Sequence, residues 1–355
     1  MTVSSALRWL RTLVVSRPQR PLLISIDVSD RCDLRCAMCR AWRRGPRAEV
    51  MDVTTFASVL RGLGGLEGRE LVLIGAEPTL NPALVHMVAA ATAAGFATRL
   101  FSNGARLDRD MAEELARAGL GSATISIDAA SPATHDHLRG VAGAHARAVG
   151  AIRALRAAPA GCRVAVSTNT LVTTTTLCEL QALVGLARDA GATRHAFQIP
   201  SQVPAHLAGG EGLSQQYRES DSDRLLFQPQ QLPELRATLA KVARSARSPS
   251  AAILAGLPDE AFLEARFPHA RCRYAGIALS IDSAGNAYPC SHFHGTNLGA
   301  VAARGWQGVW RGQERQAFLH DLARGLHEVC RYCCHTVHNL SAGRLAQAAL
   351  LARRP

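Results

Sequence analysis

The chain has 355 residues, 48% of them hydrophobic, and a formal charge of +12, which allows a substantial core and excludes a disordered chain. No apolar run nears the roughly 18 residues that span a bilayer, because the stretch Leu7–Val15 is broken by Arg8 and Arg11. The arginines are spread along the chain and Lys241 is the only lysine, the usage of a GC-rich genome, so no membrane or nucleic-acid partner is expected and the cytoplasm is the default compartment.

Residues 1–20 read as a short amphipathic helix without a small-residue cleavage site. Ten arginines face four acids in the first fifty residues, among them the run Arg40, Arg43, Arg44 and Arg47. This is either a solvated basic face or a docking site for an acidic electron donor or phosphorylated substrate. From Leu22 to about Pro200, short β-type runs alternate with helical ones. Strands are expected at Leu22–Val28, Glu70–Ile74, Thr98–Ser102, Ser122–Ile127, Arg163–Asn169 and Arg194–Ile199. Helices are expected near Thr54–Leu63, Pro82–Ala94, Asp108–Ala118, Ala144–Ala157 and Thr176–Ala190, several opening on a capping Thr, Asn or Asp. Six such alternations imply an α/β fold with a parallel sheet or partial barrel, and ligands at the C-terminal ends of the strands. Polar stretches sit there: Ser29-Asp30-Arg31, Gly75-Ala76-Glu77-Pro78, Ser102-Asn103-Gly104 and Asp128-Ala129-Ala130.

Beyond Ser201 the pattern changes. Gly209-Gly210 and the polar run Ser214–Arg224 suggest a loop, then a helix near Leu232–Arg244 and, after Ser248–Ser250, another short helix. After Cys272 the stretch Gly276–Asp282, the turn Gly285-Asn286 and the return Ala287–Pro289 read as a β-hairpin, followed by a helix near Gly305–Arg324.

Ten cysteines in a chain neither small nor secreted in pattern favour metal binding over a disulfide framework. Eight fall into two groups, Cys32/Cys36/Cys39 and Cys272/Cys290/Cys330/Cys333/Cys334, while Cys162 and Cys178 read as buried, unreactive thiols. Cys32-x3-Cys36-x2-Cys39 puts three thiolates in one loop. A [4Fe–4S] cluster held by three leaves one iron open to a chelating ligand, whereas zinc favours four paired donors. The cluster is the better reading and zinc its competitor. The second group, with Cys272 and Cys290 flanking the hairpin and Cys330-x2-Cys333 after the helix, fits a closed cluster or structural zinc.

Cys-x3-Cys-x2-Cys directly after the first strand of a six-fold βα pattern resembles the signature of the radical S-adenosylmethionine (SAM) superfamily. Gly75-Ala76-Glu77-Pro78 is similar to its Gly-Gly-Glu-Pro motif, with Ala76 at the usual second glycine. Ser102-Asn103-Gly104 resembles its third-strand turn, and Ser126-Ile127-Asp128 with His135-Asp136-His137-Leu138-Arg139-Gly140 its fourth-strand region. Cys-x12-Gly-x4-Cys followed by Cys-x2-Cys resembles the auxiliary-cluster extension called Twitch, a shorter relative of SPASM, and Leu298-Gly299 with Gly305–Gly312 fits the stretch before the last cysteines.

The resemblance implies a partial (β/α)6 parallel-strand barrel with a small C-terminal β-hairpin/helix domain. The implied domains are an N-terminal amphipathic helix (1–20), a radical SAM core (21–200), a helical connecting segment (201–270), an auxiliary-cluster domain (271–340) and a C-terminal helix or tail (341–355). It implies two [4Fe–4S] clusters: a catalytic one on Cys32, Cys36 and Cys39, and an auxiliary one on Cys272, Cys290, Cys330 and Cys333. SAM is expected against the backbone of Gly75, Ala76, Glu77 and Pro78, with Ser126 and Asp128 at the ribose and Asn103 at the sugar or carboxylate. Cys334 is a candidate hydrogen-atom donor, alternative ligand or mere neighbour; His335 and His338 are expected at the surface or just behind the ligands, not as ligands themselves.

The implied activity is reductive cleavage of SAM and hydrogen abstraction from a substrate, with electrons from a flavodoxin or ferredoxin. Only 31 residues precede Cys32, which favours a small sugar, aminocyclitol or nucleoside substrate, oxidised or epimerised, over the alternative of a ribosomally made peptide. A zinc-stabilised nucleic-acid-binding protein is the remote third reading.

Overall fold

The computed structural model describes residues 18–43, 49–159, 161–201, 203, 225–267 and 272–333. The expected N-terminal helix up to residue 17, Arg44 and Arg47, the run Ser214–Arg224, Cys334, His335, His338 and the tail after 340 lie outside the described residues.

All six expected strands form, as β1 (Leu23–Ser29), β2 (Glu70–Gly75), β3 (Ala97–Ser102), β4 (Ser122–Ser126), β5 (Ala165–Leu171) and β6 (Arg194–Gln198). Each runs parallel to its sequential neighbour. Between them lie α1 (Val53–Gly62), α2 (Leu84–Ala93), α3 (Arg109–Arg117), α4 (Pro132–Arg139), α5 (Ala144–Arg156) and α6 (Leu180–Asp189). Asp52 caps α1 by accepting from Thr55 N at 2.7 Å, and Asp108 caps α3 by accepting from Met111 N at 2.9 Å. The sequence pattern missed α4, a short helix of about two turns, mostly polar, begun by Pro132 and ended by left-handed Gly140.

Successive strand residues point to opposite faces. Ile24, Ile26, Leu71, Leu73, Leu100 and Ile125 turn to one face and form the main core with Phe56, Met87, Leu115 and Ile152 from the helices. Asp27, Val72, Arg99, Phe101 and Ser167, in the alternate positions, are half-buried. The polar members Asp27, Arg99 and Ser167, with Arg99 donating to Thr124 at 2.9 Å, mark the inner face of an open, partial barrel. The sheet does not close.

After β6, helices α7 (Leu232–Ser245), α8 (Pro249–Ala255) and α9 (Glu260–Leu263) pack with Val172, Phe197 and Ile199 in a second core. There follow α10 (Tyr274–Ile277), β7 (Ala278–Ile281), β8 (Asn286–Tyr288), β9 (Gly299–Ala300), α11 (Val301–Arg311) and α12 (Gln313–Arg324). The expected hairpin is β7–β8, antiparallel with Ser280 opposite Tyr288. Its placement was not legible in sequence: β7 pairs parallel with β1, Ile24 opposite Leu279, so the sheet order is β6-β5-β4-β3-β2-β1-β7-β8-β9. Leu279, Ile281, Ala287 and Trp306 consequently join the main core.

The Trp306 indole donates to Gly64 O at 2.8 Å and that of Trp310 to Pro18 O at 3.2 Å, locking α11 against the barrel. The buried guanidinium of Arg315 donates to the carbonyls of Trp310, Ala275 and Gly276 and lies over the Trp310 ring.

The expectation of two buried lone thiols is corrected: Cys178 is exposed and Cys162 half-buried. Cys178 sits in a 3₁₀ turn, Leu177–Glu179, in which only Leu177 faces the core. Among the described residues, no helix is long and apolar enough to cross a membrane.

Candidate active site

The loop after β1 carries the first cysteine group. It is pinned to the end of α4, where Arg35 N donates to Arg139 O at 3.0 Å and Ala37 N to Leu138 O at 2.9 Å. That approach requires glycine next in line. A Cβ on Gly140, at φ +68°, would stand 2.4 Å from Arg35 O. Leu34, Cys36 and Ala144 form a small buried set, with Cys32, Met38 and Cys39 packed against it. The three thiols thus share one patch at the C-terminal end of β1.

Each sulfur meets a donor. Leu34 N–H serves Cys32, Ala41 N–H reaches Cys39 Sγ at 3.4 Å, and Arg139 Nη1 lies 3.9 Å from Cys36 Sγ. Burial pushes the Cys32 thiol up to about 12 and raises that of Cys36, partly offset there by Arg139. Such thiols ionise only when a positive centre binds them. Tetrahedral zinc takes four donors and this loop brings three cysteines, whereas each cysteine on a [4Fe–4S] cube binds a different iron. The donor chemistry of Cys32, Cys36 and Cys39 therefore fits an iron–sulfur cluster better than zinc.

The strand-end motifs surround this loop. Gly75, at φ +140°, is required by the barrel itself, since a Cβ there would meet Ser29 O at 2.3 Å. The next amide, Ala76 N, donates to Ser29 O at 2.8 Å, and Ala76 is not among the residues with positive φ. The methyl in place of the second glycine therefore imposes no backbone strain. Glu77 is 1% exposed and its carboxylate joins two strand ends. Oε1 accepts from Thr79 N (3.1 Å), Thr79 Oγ1 (2.7 Å) and Ser102 Oγ (2.7 Å), and Oε2 from Asn103 N (2.7 Å). Burial raises its pKa and these donors oppose the rise. Pro78 opens the 3₁₀ turn that follows.

Asn103 donates from Nδ2 to Asp33 Oδ1 at 3.0 Å, tying β3 to the cysteine loop. Ser126 ends β4 half-buried on the inner face. Asp128 differs from the others. It is 1% exposed, and its carboxylate is engaged by Arg139 Nε at 2.8 Å and Leu171 N at 2.9 Å. It faces protein partners, not an open rim. Sequence reasoning gave Arg139 no role, because its partners Asp128 and Cys36 are brought to it only by the fold.

The second group also converges. Cys272 packs with Tyr274, Cys290 and Phe293 in one small cluster and with Cys330 and Phe318 in the adjoining one. Cys290 feels the charges of Cys272 and Cys330, and Tyr274 those of Cys290 and Cys333. Backbone N–H groups of Tyr274 and Ala275 serve Cys272, and His292 N–H lies 3.3 Å from Cys290 Sγ. Burial drives the thiols of Cys272 and Cys290 up, and that of Cys330 to about 12. Phe293, Phe318 and His327 stack around them, with ring centroids 5.0 to 5.8 Å apart. The Cys330–Cys333 turn is tethered from outside by Phe267 N to Arg331 O at 2.7 Å and Ser201 Oγ to Tyr332 O at 2.6 Å. Four thiols from three separated segments, beside an aromatic stack, fit a second cluster.

Comparison with known proteins agrees with this arrangement. Residues 26–187 match the model of the radical SAM superfamily, and residues 272–334 match that of SPASM, an iron–sulfur cluster-binding domain. An AdoMet-dependent heme synthase of Methanosarcina barkeri is 28% identical over 236 residues, 64% of this chain and 64% of the relative. A PqqA peptide cyclase of Gluconobacter oxydans is 29% identical over 178 residues, 50% of this chain and 49% of the relative. The chain thus spans about half to two thirds of these relatives' lengths. The solved structure of anSMEcpe with bound AdoMet and Cp18Cys peptide superposes with a TM-score of 0.61, at 15% identity, covering 94% of this chain and 95% of that one.

Proposed function

Since the chain belongs to the radical SAM superfamily and carries a C-terminal iron–sulfur domain of the SPASM type, we propose that it modifies a peptide by hydrogen-atom abstraction. The observation that carries the catalytic part is the convergence of Cys32, Cys36 and Cys39 beside the C-terminal ends of β1, β2 and β3. The peptide part rests on the similarity to PqqA peptide cyclase. It displaces the small sugar, aminocyclitol or nucleoside expected from the short N-terminal segment, which is a weaker guide because a recognition domain can be a separate protein.

When bound, the reduced cluster and SAM supply a 5′-deoxyadenosyl radical. The chain's own residues prepare the site. Glu77 holds the ends of β2 and β3 in register, so that the backbone of residues 75–78 faces the open end of the barrel. Asn103 fixes the cysteine loop through Asp33. The half-buried inner face, including Phe101, Ser126 and Ser167, offers a partly polar wall for substrate and keeps bulk water at a distance. Cys272, Cys290, Cys330 and Cys333 would hold the auxiliary cluster. With all four irons ligated, its role is to pass an electron, which suits oxidation or crosslinking of the peptide more than epimerisation. Both clusters need a reducing compartment, the cytoplasm, and an acidic donor such as flavodoxin or ferredoxin.

A second reading, a tetrapyrrole substrate, is favoured by the longer alignment with the heme synthase. One experiment separates them. Anaerobically reconstituted protein is given SAM, reductant and either short peptides encoded beside its gene or an iron tetrapyrrole. Peptide modification predicts 5′-deoxyadenosine together with a loss of about two mass units per two-electron oxidation. Product only from the tetrapyrrole overturns the peptide reading.

A further inference from the structure

Arg139 and Asp128 have no part in the reading above, yet Arg139 directs a charged side chain at the first cysteine group. Arg139 ends α4 with its side chain 13% exposed, its Nε 2.8 Å from Asp128 Oδ2 and its Nη1 3.9 Å from Cys36 Sγ. Cys32 and Cys39 receive backbone N–H groups; Cys36 receives a guanidinium. The backbone on either side of the pair is held in place. Arg139 O and Leu138 O accept from the cysteine loop, Asp128 Oδ1 accepts from Leu171 N at 2.9 Å, and Asp128 N donates to His135 Nδ1 at 3.1 Å.

The geometry points to Arg139 and Asp128 as a matched pair that sets the reduction potential of the catalytic cluster, a role that rests on Cys36 being one of its ligands. Reduction adds negative charge to the cluster and its thiolates. A guanidinium held against Cys36 Sγ in a buried, weakly screened site stabilises that charge, and hydrogen bonds and charge near the sulfurs are the protein's main means of tuning such a couple. Asp128 does two things. It orients Arg139, and its own negative charge, farther from the sulfur, cancels part of the effect.

The pair therefore predicts shifts of opposite sign. Arg139→Gln removes the positive charge and leaves a buried carboxylate, which makes the cluster harder to reduce. Asp128→Asn removes the carboxylate and leaves the guanidinium, which makes it easier. A purely structural pair gives changes of the same kind in both variants.

The test is an EPR-monitored redox titration of the anaerobically reconstituted full chain, with the catalytic signal recognised by its change on adding SAM. Arg139→Gln is expected to lower the reduced-to-oxidised ratio at a given potential at least tenfold, which is 59 mV for one electron. Asp128→Asn is expected to raise that ratio, and Arg139→Lys, which keeps the charge, to stay nearer wild type than Arg139→Gln. Shifts in the same direction, no shift in iron-replete Asp128→Asn, or loss of the cluster from all three variants overturns the proposal. The underlying reading fails separately: a wild-type chain without a SAM-sensitive signal, or a Cys36→Ala chain that keeps it, removes Cys36 as a ligand.

Discussion

Replacing Glu77 with Gln keeps the shape of a buried side chain and changes only what its outer atoms accept. In the native protein Oε1 takes three donors, Thr79 N, Thr79 Oγ1 and Ser102 Oγ, and Oε2 takes Asn103 N at 2.7 Å. Glutamine has one acceptor oxygen. If that oxygen keeps the first three donors, its NH2 group opposes Asn103 N–H, leaving a buried donor unpaired at a cost of about 1–3 kcal/mol. The remaining bonds also lose their charge assistance, worth roughly 1 kcal/mol more in total. The opposite rotamer leaves Thr79 N–H unpaired instead, since the two hydroxyls can turn to accept from the NH2 group, at a similar cost. The expected destabilisation is about 3 kcal/mol, read by anaerobic urea unfolding of the full chain. Because Asn103 also holds Asp33 of the cysteine loop, weaker SAM binding is expected alongside. A loss below about 1 kcal/mol with unchanged SAM affinity would refute the view that this carboxylate organises the strand ends.

Cys32, Cys36 and Cys39 replaced together by Ala should remove about half of roughly eight irons per chain and abolish 5′-deoxyadenosine formation; continued cleavage of SAM would sink the catalytic assignment. Cys272→Ala with Cys290→Ala should remove the other half and suppress product more than SAM cleavage, so equal loss of both would make that cluster merely structural. Gly140→Ala places a methyl 2.4 Å from Arg35 O at φ +68°, and about 1–3 kcal/mol of strain should displace the cysteine loop and lower iron content; full loading would show that the loop moves freely. The pKa of His135 is lowered from 6.5 to about 4, chiefly by burial, with Arg139 next. The folded protein then binds fewer protons than the unfolded chain between these values, so the stability contributed is complete above 6.5 and is lost as pH falls toward 4. At 1.36 kcal/mol per pH unit this amounts to about 3 kcal/mol. His135→Gln should flatten the fall in unfolding free energy between pH 6.5 and 4.5, and an unchanged slope would remove His135 as its source.

What could be read without coordinates was local. Three cysteines within eight residues need only one short loop to share a site, so their spacing speaks for itself. The six strands announced themselves by β-type runs between turn residues, and the hairpin by Gly285-Asn286. Helix α4 escaped because PATHDHLR has few apolar residues to show a period. The short helix is defined by its Pro132 start and its Gly140 stop, and by what it touches.

The sequence alone thus determined the three-cysteine loop and the α/β alternation, both encoded at short range. The tertiary structure decided everything that depends on residues meeting across the chain. It put β7 beside β1, which no local pattern specifies because any apolar strand of that length fits an open parallel edge. It gathered Cys272, Cys290, Cys330 and Cys333 from three segments around Tyr274 and Phe293. It also turned Asp128, expected at a ligand, toward Arg139 and so toward Cys36, because a buried carboxylate must be met by donors or by an opposite charge brought to it by the fold.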